Sequence, residues 1–299
     1  MYSPLVSFLQ DEKIHFVKNH SLKQENTAKI DTVADLSVYP STVNELLEVY
    51  RIVKSLGVKH VTVGNMSNII FRKSEYHGVV IHTTRLNNYL IDENICSLLS
   101  GCYLSTAIRK MRECEYGGAE ALVGIPGTVG GMICSNAGAF DLEISDILLD
   151  TEIYDTWEDR TIRLTRDKLG FSYRNSMFYN TDRFLILNVR ISLEPTEASV
   201  IEERIALFRE KRKNTQPNEP SLGSVFKRVN GIGAGYYIDR AGLKGTRIGG
   251  AMVSPKHAGF IVNMGNATAE DFLLLVSIVK EKVYSEFGIH LDTEIKIID

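Results

Sequence analysis

The spacing of apolar residues predicts a strand followed by a helix early in the chain. Residues 34–39 alternate apolar and polar side chains, as a half-buried strand does, and the alternation stops at Pro40. Ser41 or Thr42 is then suited to cap a helix, because a hydroxyl can accept a hydrogen bond from a free N–H group of the first turn. Apolar residues recur at helical spacing as far as Gly57, where we expect this helix to end.

Two short apolar runs, residues 60–63 and 79–82, are typical of strands and flank the segment Gly64-Asn65-Met66-Ser67-Asn68. Together with the preceding strand and helix they predict a small α/β unit. A glycine-rich stretch, residues 231–236, follows no clear strand, and we expect it to be a mobile loop. Further strands are predicted at residues 97–100, 147–154, 184–193 and 291–298, and further helices at residues 104–115, 199–213 and 269–287.

The composition argues against several classes of protein. The 299 residues suffice for about two domains. The 34 Lys and Arg residues nearly balance the 37 Asp and Glu residues, which gives no support for a nucleic-acid or membrane-surface partner. We find no secretory signal pattern and no apolar stretch of roughly 20 residues, the length that spans a bilayer. The cysteines form no Cys-x-x-Cys pair, which predicts a cytoplasmic protein without a metal site: Cys96, Cys102, Cys114 and Cys134.

The strongest local signal is Gly124-Ile125-Pro126-Gly127-Thr128-Val129-Gly130-Gly131, followed by Asn136-Ala137-Gly138. Five glycines within fifteen residues let the backbone approach a ligand and expose its N–H groups, an arrangement that suits a pyrophosphate. The spacing is not the Gly-x-Gly-x-x-Gly pattern of dinucleotide-binding domains. From the residues alone, a glycine-rich turn without a ligand remains the alternative.

Three side chains are candidates for chemistry. Arg174 follows Tyr173 among aromatic and small hydroxyl residues, which can hold a guanidinium still and present it to a carboxylate or an oxyanion. Ser224 lies beside a glycine after a proline-bounded turn, and its hydroxyl can point into a cleft. Glu294 lies in the alternating segment at the end of the sequence. Each has a structural alternative: a surface ion pair for Arg174, a turn serine for Ser224 and a solvated strand carboxylate for Glu294.

The order of these segments resembles the UDP-N-acetylenolpyruvoylglucosamine reductase (UDP-N-acetylmuramate dehydrogenase) family over nearly the whole chain. The motifs that carry the resemblance are Gly124–Gly131 with Asn136–Gly138, Tyr173-Arg174-x-Ser176, Gln216-Pro217 leading to Gly223-Ser224-Val225-Phe226-Lys227, residues 241–245, residues 254–258, and Glu294. The chain has no long insertion between Phe178 and Phe184. It therefore resembles the shorter subclass of the family, which lacks an extra loop over the substrate.

The resemblance implies an α+β fold in two regions. Residues 1–195 would form an FAD-binding region of the vanillyl-alcohol-oxidase (PCMH) type, with subdomains at about 25–84 and 85–195. Residues 196–299 would form a C-terminal α/β substrate-binding domain. We expect a monomer that works on small molecules, with no nucleic-acid or membrane partner.

The resemblance also implies the reaction: FAD is reduced by NADPH, and the enolpyruvyl group of UDP-N-acetylglucosamine enolpyruvate is then reduced to give UDP-N-acetylmuramate. Ser224 would donate a proton, while Arg174 and Glu294 would stabilise the enol-like intermediate. The residues implied in substrate binding are Tyr173, Gln216 and Lys227. Those implied in FAD binding are Gly64, Asn65, Met66, Ser67, Asn68, Gly124, Ile125, Pro126, Gly127, Thr128, Gly130, Gly131, Asn136, Ala137 and Gly138.

The chain departs from the pattern of the family at three places. Asp31-Thr32 stands where a glycine pair is usual, Met66 stands where the phosphate loop has glycine, and Phe140 follows Asn-Ala-Gly-Ala where glycine is usual. Two alternatives to the reductase remain open from the sequence. One is a related flavoprotein that acts on another nucleotide sugar or a small alcohol, and the other is a flavin-binding protein without turnover.

Overall fold

The computed structural model describes residues 2–299 and shows a mixture of helices and strands. The helices are α1 (Ser3–Asp11), α2 (Val43–Ser55), α3 (Leu104–Glu113), α4 (Val129–Ser135), α5 (Ile144–Ile147), α6 (Ala198–Thr215), α7 (Ala234–Arg240) and α8 (Ala269–Phe287). The strands are β1 (His15–Ser21), β2 (Val33–Tyr39), β3 (His60–Val63), β4 (Ile69–Phe71), β5 (Glu75–His82), β6 (Tyr89–Asp92), β7 (Ile95–Leu99), β8 (Tyr116–Gly117), β9 (Gly138–Ala139), β10 (Leu142–Glu143), β11 (Leu148–Asp155), β12 (Arg160–Thr165), β13 (Phe184–Ser192), β14 (Glu194–Pro195), β15 (Ser221–Ser224), β16 (Arg247–Ile248), β17 (Ala251–Val253), β18 (Phe260–Asn263) and β19 (Lys296–Ile298).

Elements with clear end signals agree with the sequence prediction. The hydroxyl of Thr42 caps α2 by accepting a hydrogen bond from the N–H of Glu45 at 3.2 Å, and the left-handed Gly57 (φ +62°) follows the helix end. α8 begins at a capping box formed by Thr268 and Asp271 and ends at the left-handed Gly288. In both helices the sequence supplies a cap at the start and a glycine at the end.

The chain divides into two compact units, and each is discontinuous in sequence. Unit 1 contains residues 1–17, 36–65 and 78–211, of which residue 1 lies outside the described range. Unit 2 contains residues 18–35, 66–77 and 212–299. The predicted division between functional domains at residue 195 stays a prediction.

Unit 1 is built on a five-stranded antiparallel sheet with the order β12-β11-β13-β7-β6. Alternate residues of β13, including Val189 and Ile191, are fully buried in a core that also contains Ile108 of α3 and Ile133 of α4. A second core lies between α1, α2 and the parallel pair of strands β3 and β5. The sheet and its helices provide the rigid base for the glycine-rich segment.

Unit 2 is built on a four-stranded sheet with the order β15-β18-β17-β16. Helix α8 buries Phe272, Leu275 and Val279 in the core of this unit. The strand β19 pairs in parallel with β4, so that Ile297 lies beside Ile70. The end of the chain is thereby fixed within unit 2.

Two predictions of local structure are wrong, and one helix was missed. Residues 231–236 are not a mobile loop throughout, because α7 begins at Ala234. The regular strand near the end of the chain begins at Lys296 rather than at residue 291. Helix α4 was not predicted, since glycine is a poor helix former. It forms because the N–H of Gly130 donates to the carbonyl of Ser100 at 2.8 Å, and a Cβ on Gly130 would come within 2.9 Å of the Ser100 side chain.

The carboxylate of Asp155 makes the stability of unit 1 depend on pH. It accepts hydrogen bonds from the Arg183 guanidinium at 2.9 and 2.6 Å and from the N–H of Trp157 at 3.0 Å. Chiefly because of Arg183, the pKa of Asp155 falls to about 2. A lowered pKa in the folded state means that the ionised carboxylate stabilises the fold above pH 4 and loses this effect as the pH falls towards 2.

We therefore expect the stability advantage of the unchanged protein over Asp155→Asn to shrink as the pH is lowered from about 4 to 2. The measurement is urea unfolding followed by circular dichroism at several pH values. Asp182→Asn is the matched control, since Asp182 is an exposed carboxylate close to Arg183 in sequence. A constant difference between Asp155→Asn and the unchanged protein over this pH range would contradict the prediction.

Candidate functional site

Two of the predicted ligand-binding segments contact each other within unit 1. The side-chain amide of Asn65 donates a hydrogen bond to the carbonyl of Pro126, and its oxygen accepts one from the hydroxyl of Tyr103 at 2.7 Å. Gly64 packs against Thr128 so closely that a Cβ on Gly64 would lie 2.2 Å from the Thr128 hydroxyl oxygen. Residue 64 must therefore be glycine for the two segments to meet.

Buried hydroxyl groups line the same segment. Within residues 2–299, the Thr128 hydroxyl has no hydrogen-bond partner, although the residue is only 1% exposed. The hydroxyl of Ser100, beside Gly130, is likewise buried without a partner among the described residues. A buried hydroxyl without a partner is costly. An oxygen-rich group bound at this segment would supply the missing acceptors, so these residues fit the phosphate part of a cofactor.

The buried residue Asn136 ends α4 in the left-handed conformation (φ +44°). Its side-chain amide donates to the Glu143 carboxylate at 2.7 Å and to the carbonyl of Ser172 at 3.1 Å, and its oxygen accepts from the N–H of Ser145 at 3.3 Å. These bonds engage the side chain within the protein. The predicted contact of Asn136 with a cofactor stays a prediction.

Arg174 occupies a tight turn in which Ser172 and Asn175 exchange backbone hydrogen bonds, both at 3.1 Å. It lies in the left-handed region with φ +52°. Its guanidinium donates to the carbonyls of Asn136 at 3.2 Å and Gly138 at 3.0 Å, and it lies 5.2 Å from the centre of the Tyr173 ring. The Arg174 side chain is 18% exposed. The guanidinium of Arg174 is therefore held at a fixed place. Its bonds to two backbone carbonyls differ from the contacts of a simple surface ion pair.

Ser224 and Glu294 lie on adjacent backbone segments of unit 2. The N–H of Glu294 donates to the carbonyl of Val225 at 2.8 Å, and the N–H of Lys227 donates to the carbonyl of Asp292 at 2.9 Å. Ser224 ends β15 opposite Phe260, directly after the left-handed Gly223, and it is partly buried. Three predicted site residues, Ser224, Lys227 and Glu294, are thus brought together. Gln216, which also belongs to this unit, directly follows the end of α6.

The other half of the predicted phosphate loop, residues 66–68, also belongs to unit 2. Asn68 binds the backbone on both sides of Ile295: its amide donates to the carbonyl of Glu294 at 3.0 Å, and its carbonyl accepts from the N–H of Lys296 at 2.9 Å. Met66 is buried and takes the left-handed conformation with φ +43°. The structure thus gives Asn68 a role beside Glu294 that its place in the sequence did not indicate.

Comparison with known proteins decides the family. A family model described as the C-terminal domain of UDP-N-acetylenolpyruvoylglucosamine reductase matches residues 216–298, and one described as an FAD binding domain matches residues 34–165. The UDP-N-acetylenolpyruvoylglucosamine reductase of Caldicellulosiruptor bescii is 39% identical over 97% of this chain and 93% of its own length. The chain belongs to the UDP-N-acetylenolpyruvoylglucosamine reductase family.

Further relatives agree with this assignment. The reductase of Geobacillus thermodenitrificans is 35% identical over 100% of this chain and 97% of its own length. The crystal structure of the reductase (MurB) from Thermus caldophilus superposes with a TM-score of 0.80 at 29% identity, covering 96% of this chain and 99% of the other. A solvent-stable cholesterol oxidase shares only the fold, with a TM-score of 0.50 at 20% identity over 62% of this chain and 38% of its own.

These matches confirm the predicted family, the α+β fold with an FAD-binding region of the PCMH type, and a flavin oxidoreductase that uses FAD with NADPH as reductant. Among residues 2–299, no helix has the length and apolarity to cross a membrane. Nor does any group of three or more His, Cys, Asp or Glu side chains in this described range have the arrangement of a metal site.

Sequence reasoning did not single out Glu143 or Ser100. Glu143 lies five residues beyond the glycine-rich motif, and only the hairpin of β9 and β10 brings its carboxylate to Asn136. Ser100 is an ordinary strand-end serine until Gly130 packs against it. Neither residue carries a local signal, because both gain their contacts from the tertiary fold.

We expect Gly64→Ala to weaken FAD binding by about 10- to 100-fold, since the added methyl group would overlap the Thr128 hydroxyl and overpacking costs about 1–3 kcal/mol. The measurement is the amount of flavin that stays with the protein during gel filtration, together with a titration of the apoprotein with FAD. Gly233→Ala is the control, because a Cβ there meets no atom within 4 Å. Full retention of FAD by Gly64→Ala would place the cofactor away from this loop.

Proposed function

We propose that this chain reduces UDP-N-acetylglucosamine enolpyruvate to UDP-N-acetylmuramate with NADPH, a step in the synthesis of peptidoglycan precursors. The family of the chain supports the reaction. The observation that carries the residue roles is the fixed guanidinium of Arg174, which binds two backbone carbonyls within unit 1. We further propose that the chain acts as a monomer in the cytoplasm, where NADPH and the nucleotide sugar are dissolved.

FAD, when bound, supplies a carrier that accepts hydride from NADPH and delivers it to the methylene carbon of the enolpyruvyl group. In this proposal the FAD-binding residues are those of the Gly64–Asn68 and Gly124–Gly131 segments. Their role is to hold the diphosphate with backbone N–H groups and small hydroxyls, which allow close approach without steric conflict. The partnerless hydroxyl of Thr128 supports this role.

The remaining chemistry belongs to the side chains of the protein. Hydride addition at the methylene carbon places negative charge on the adjacent carbon and on the carboxylate attached to it. In the proposal Arg174 stabilises that charge through its guanidinium. Glu294 acts as a protonated acid or as the partner of a cation, since an isolated carboxylate would repel an enolate. Ser224 then donates a proton to the carbon, which completes the addition of two hydrogens across the double bond.

Substrate binding is assigned to Tyr173, Gln216 and Lys227. The exposed Tyr173 ring beside Arg174 offers a flat surface with a hydroxyl. The Lys227 ammonium suits the phosphate or carboxylate groups of the substrate. The backbone bond of Lys227 to Asp292, two residues before Glu294, supports its place near the proposed acid.

The test is a pair of half-reactions with the purified FAD-bound protein. The flavin absorbance should bleach when NADPH is added without oxygen, and it should return when UDP-N-acetylglucosamine enolpyruvate is added. The product should be heavier than this substrate by two hydrogen atoms. If the flavin bleaches but only another nucleotide sugar restores it, the proposed substrate is wrong. If NADPH does not bleach the flavin, NADPH is not the reductant and the proposed reaction is wrong.

A further inference from the structure

A short hairpin in unit 1 contacts Arg174 through both of its strands. Strands β9 and β10 pair so that Gly138 lies opposite Glu143, and the two loop residues between them, Phe140 and Asp141, both have positive φ angles of 52° and 64°. The carbonyl of Gly138 accepts a hydrogen bond from the Arg174 guanidinium at 3.0 Å. The carboxylate of Glu143 lies 3.9 Å from the same guanidinium. Both strands of the hairpin therefore lie next to the guanidinium of Arg174.

Asn136 connects this hairpin to the turn that carries Arg174. Its amide nitrogen donates both to Glu143 and to the carbonyl of Ser172, the first residue of the turn. Its carbonyl accepts from the guanidinium at 3.2 Å. Asn136 is only 1% exposed, so these bonds form away from water, where they are hard to replace.

We propose that Asn136 and Glu143 form a positioning pair for Arg174. Asn136 fixes the backbone of the turn, and Glu143 attracts the guanidinium and fixes its direction. Neither residue touches the substrate in this proposal, which rests on the proposed role of Arg174 in charge stabilisation. Both act through the guanidinium.

The physical reason is the length of the arginine side chain. A guanidinium on a flexible stem stabilises developing charge only when it is already in place, and an error of about 1 Å can cost about 100-fold in rate. Bonds to two carbonyls set the plane of the Arg174 fork. The Glu143 carboxylate adds attraction from one side, and its bond to the Asn136 amide keeps the carboxylate itself from rotating.

The chain offers a matched control on the same short helix. Glu143 and Asp146 form a reciprocal capping box at the start of α5, in which the Asp146 carboxylate accepts from the N–H of Glu143 at 2.8 Å. The Asp146 carboxylate is 45% exposed and lies 3.5 Å from the guanidinium of Arg166, so its ion-pair partner is Arg166 and not Arg174. Asp146→Asn therefore removes one negative charge from the same cap, while its amide oxygen can still accept from the N–H of Glu143 and the Glu143 carboxylate itself is unchanged.

The experiment measures the two half-reactions of the FAD-bound protein by stopped flow in Glu143→Gln, Asp146→Asn, Arg174→Lys and the double variant of Glu143 and Arg174. We expect Glu143→Gln to slow the reduction of UDP-N-acetylglucosamine enolpyruvate by about 10- to 100-fold. Reduction of the flavin by NADPH should change by less than about twofold, and Asp146→Asn should leave both rates unchanged. In the Arg174→Lys background, Glu143→Gln should cause little further loss, because residues that act through one group are not additive.

Asn136→Ala tests the other member of the pair and should show the same selective loss. Because this residue is buried, Glu143→Gln keeps the proposal testable if Asn136→Ala does not fold. Equal slowing of both half-reactions by Glu143→Gln, or full additivity with Arg174→Lys, would overturn the positioning role while the role of Arg174 stands. If Arg174→Lys leaves the substrate half-reaction unchanged, the proposed role of Arg174 fails, and the positioning role fails with it.

Discussion

Replacing Ser224 with alanine is expected to slow the reduction of the enolpyruvyl substrate by about 10²- to 10⁴-fold, the usual loss when a general acid is removed. Reduction of the bound flavin by NADPH should stay almost unchanged, since no proton has to reach the substrate in that step. Ser224 is only partly buried at the end of β15, so the loss of one oxygen atom should not disturb the fold. Stopped-flow measurement of the two half-reactions checks this result.

Ser221→Ala is the matched control for Ser224→Ala, because both serines lie on β15 and both are partly buried. We expect the control to keep both rates. Equal damage to both half-reactions in Ser224→Ala would show that Ser224 supports the flavin or the fold. No loss in either half-reaction would mean that the proton comes from another group.

The helices that the sequence predicted well are those whose ends are encoded locally. α2 and α8 each have a capping threonine, a run of buried residues at helical spacing and a left-handed glycine shortly after the last turn. The signals of α4 are weaker: the hydroxyl of Thr128 does not cap the helix, its first turn contains two glycines, and it ends at the left-handed Asn136 rather than at a glycine. Its first N–H groups bind the carbonyls of Cys102 and Ser100, which are distant in sequence. No local pattern can predict a helix that depends on such contacts.

In the candidate site, too, some residues carry a local sequence signal and others gain their contacts only from the tertiary fold. Sequence reasoning found Arg174 by its aromatic and hydroxyl neighbours, and the structure places it in a tight turn beside Tyr173. The residues that hold the guanidinium could not be found in this way. Two of its contacts are backbone carbonyls, which any residue type supplies, and Glu143 reaches it only through the pairing of β9 with β10.

The structure shows how the chain accommodates two residues that the sequence analysis marked as departures from the family pattern. These residues, Met66 and Phe140, both take the left-handed conformation that glycine adopts freely. Such a conformation costs roughly 1–2 kcal/mol for a residue with a Cβ. Met66 buries its side chain almost fully, and Phe140 stacks on Phe208 at 5.2 Å between ring centres. Apolar burial of this kind offsets the backbone cost, so these loops keep the shape that glycine would allow.

The second large effect is expected for Arg174→Lys. An ammonium group retains the positive charge but has no planar fork, so it cannot bind the carbonyls of Asn136 and Gly138 and hold one fixed orientation as the guanidinium does. The loss of one pre-positioned donor to a developing oxyanion typically costs about 10²- to 10³-fold. We expect a loss of this size in the reduction of the enolpyruvyl substrate, with little change in the reduction of the flavin by NADPH.

Arg166→Lys is the control for Arg174→Lys, since Arg166 is a half-exposed arginine of the same unit that pairs with Asp146. The KM for the substrate helps to separate two roles. If Arg174 mainly binds the ground-state carboxylate, KM should rise while kcat stays close to its original value. If it stabilises the charge that follows hydride addition, kcat and kcat/KM should fall together. The bonds that fix the guanidinium favour the second result, because a group held in place before the reaction can act on charge that exists only during it.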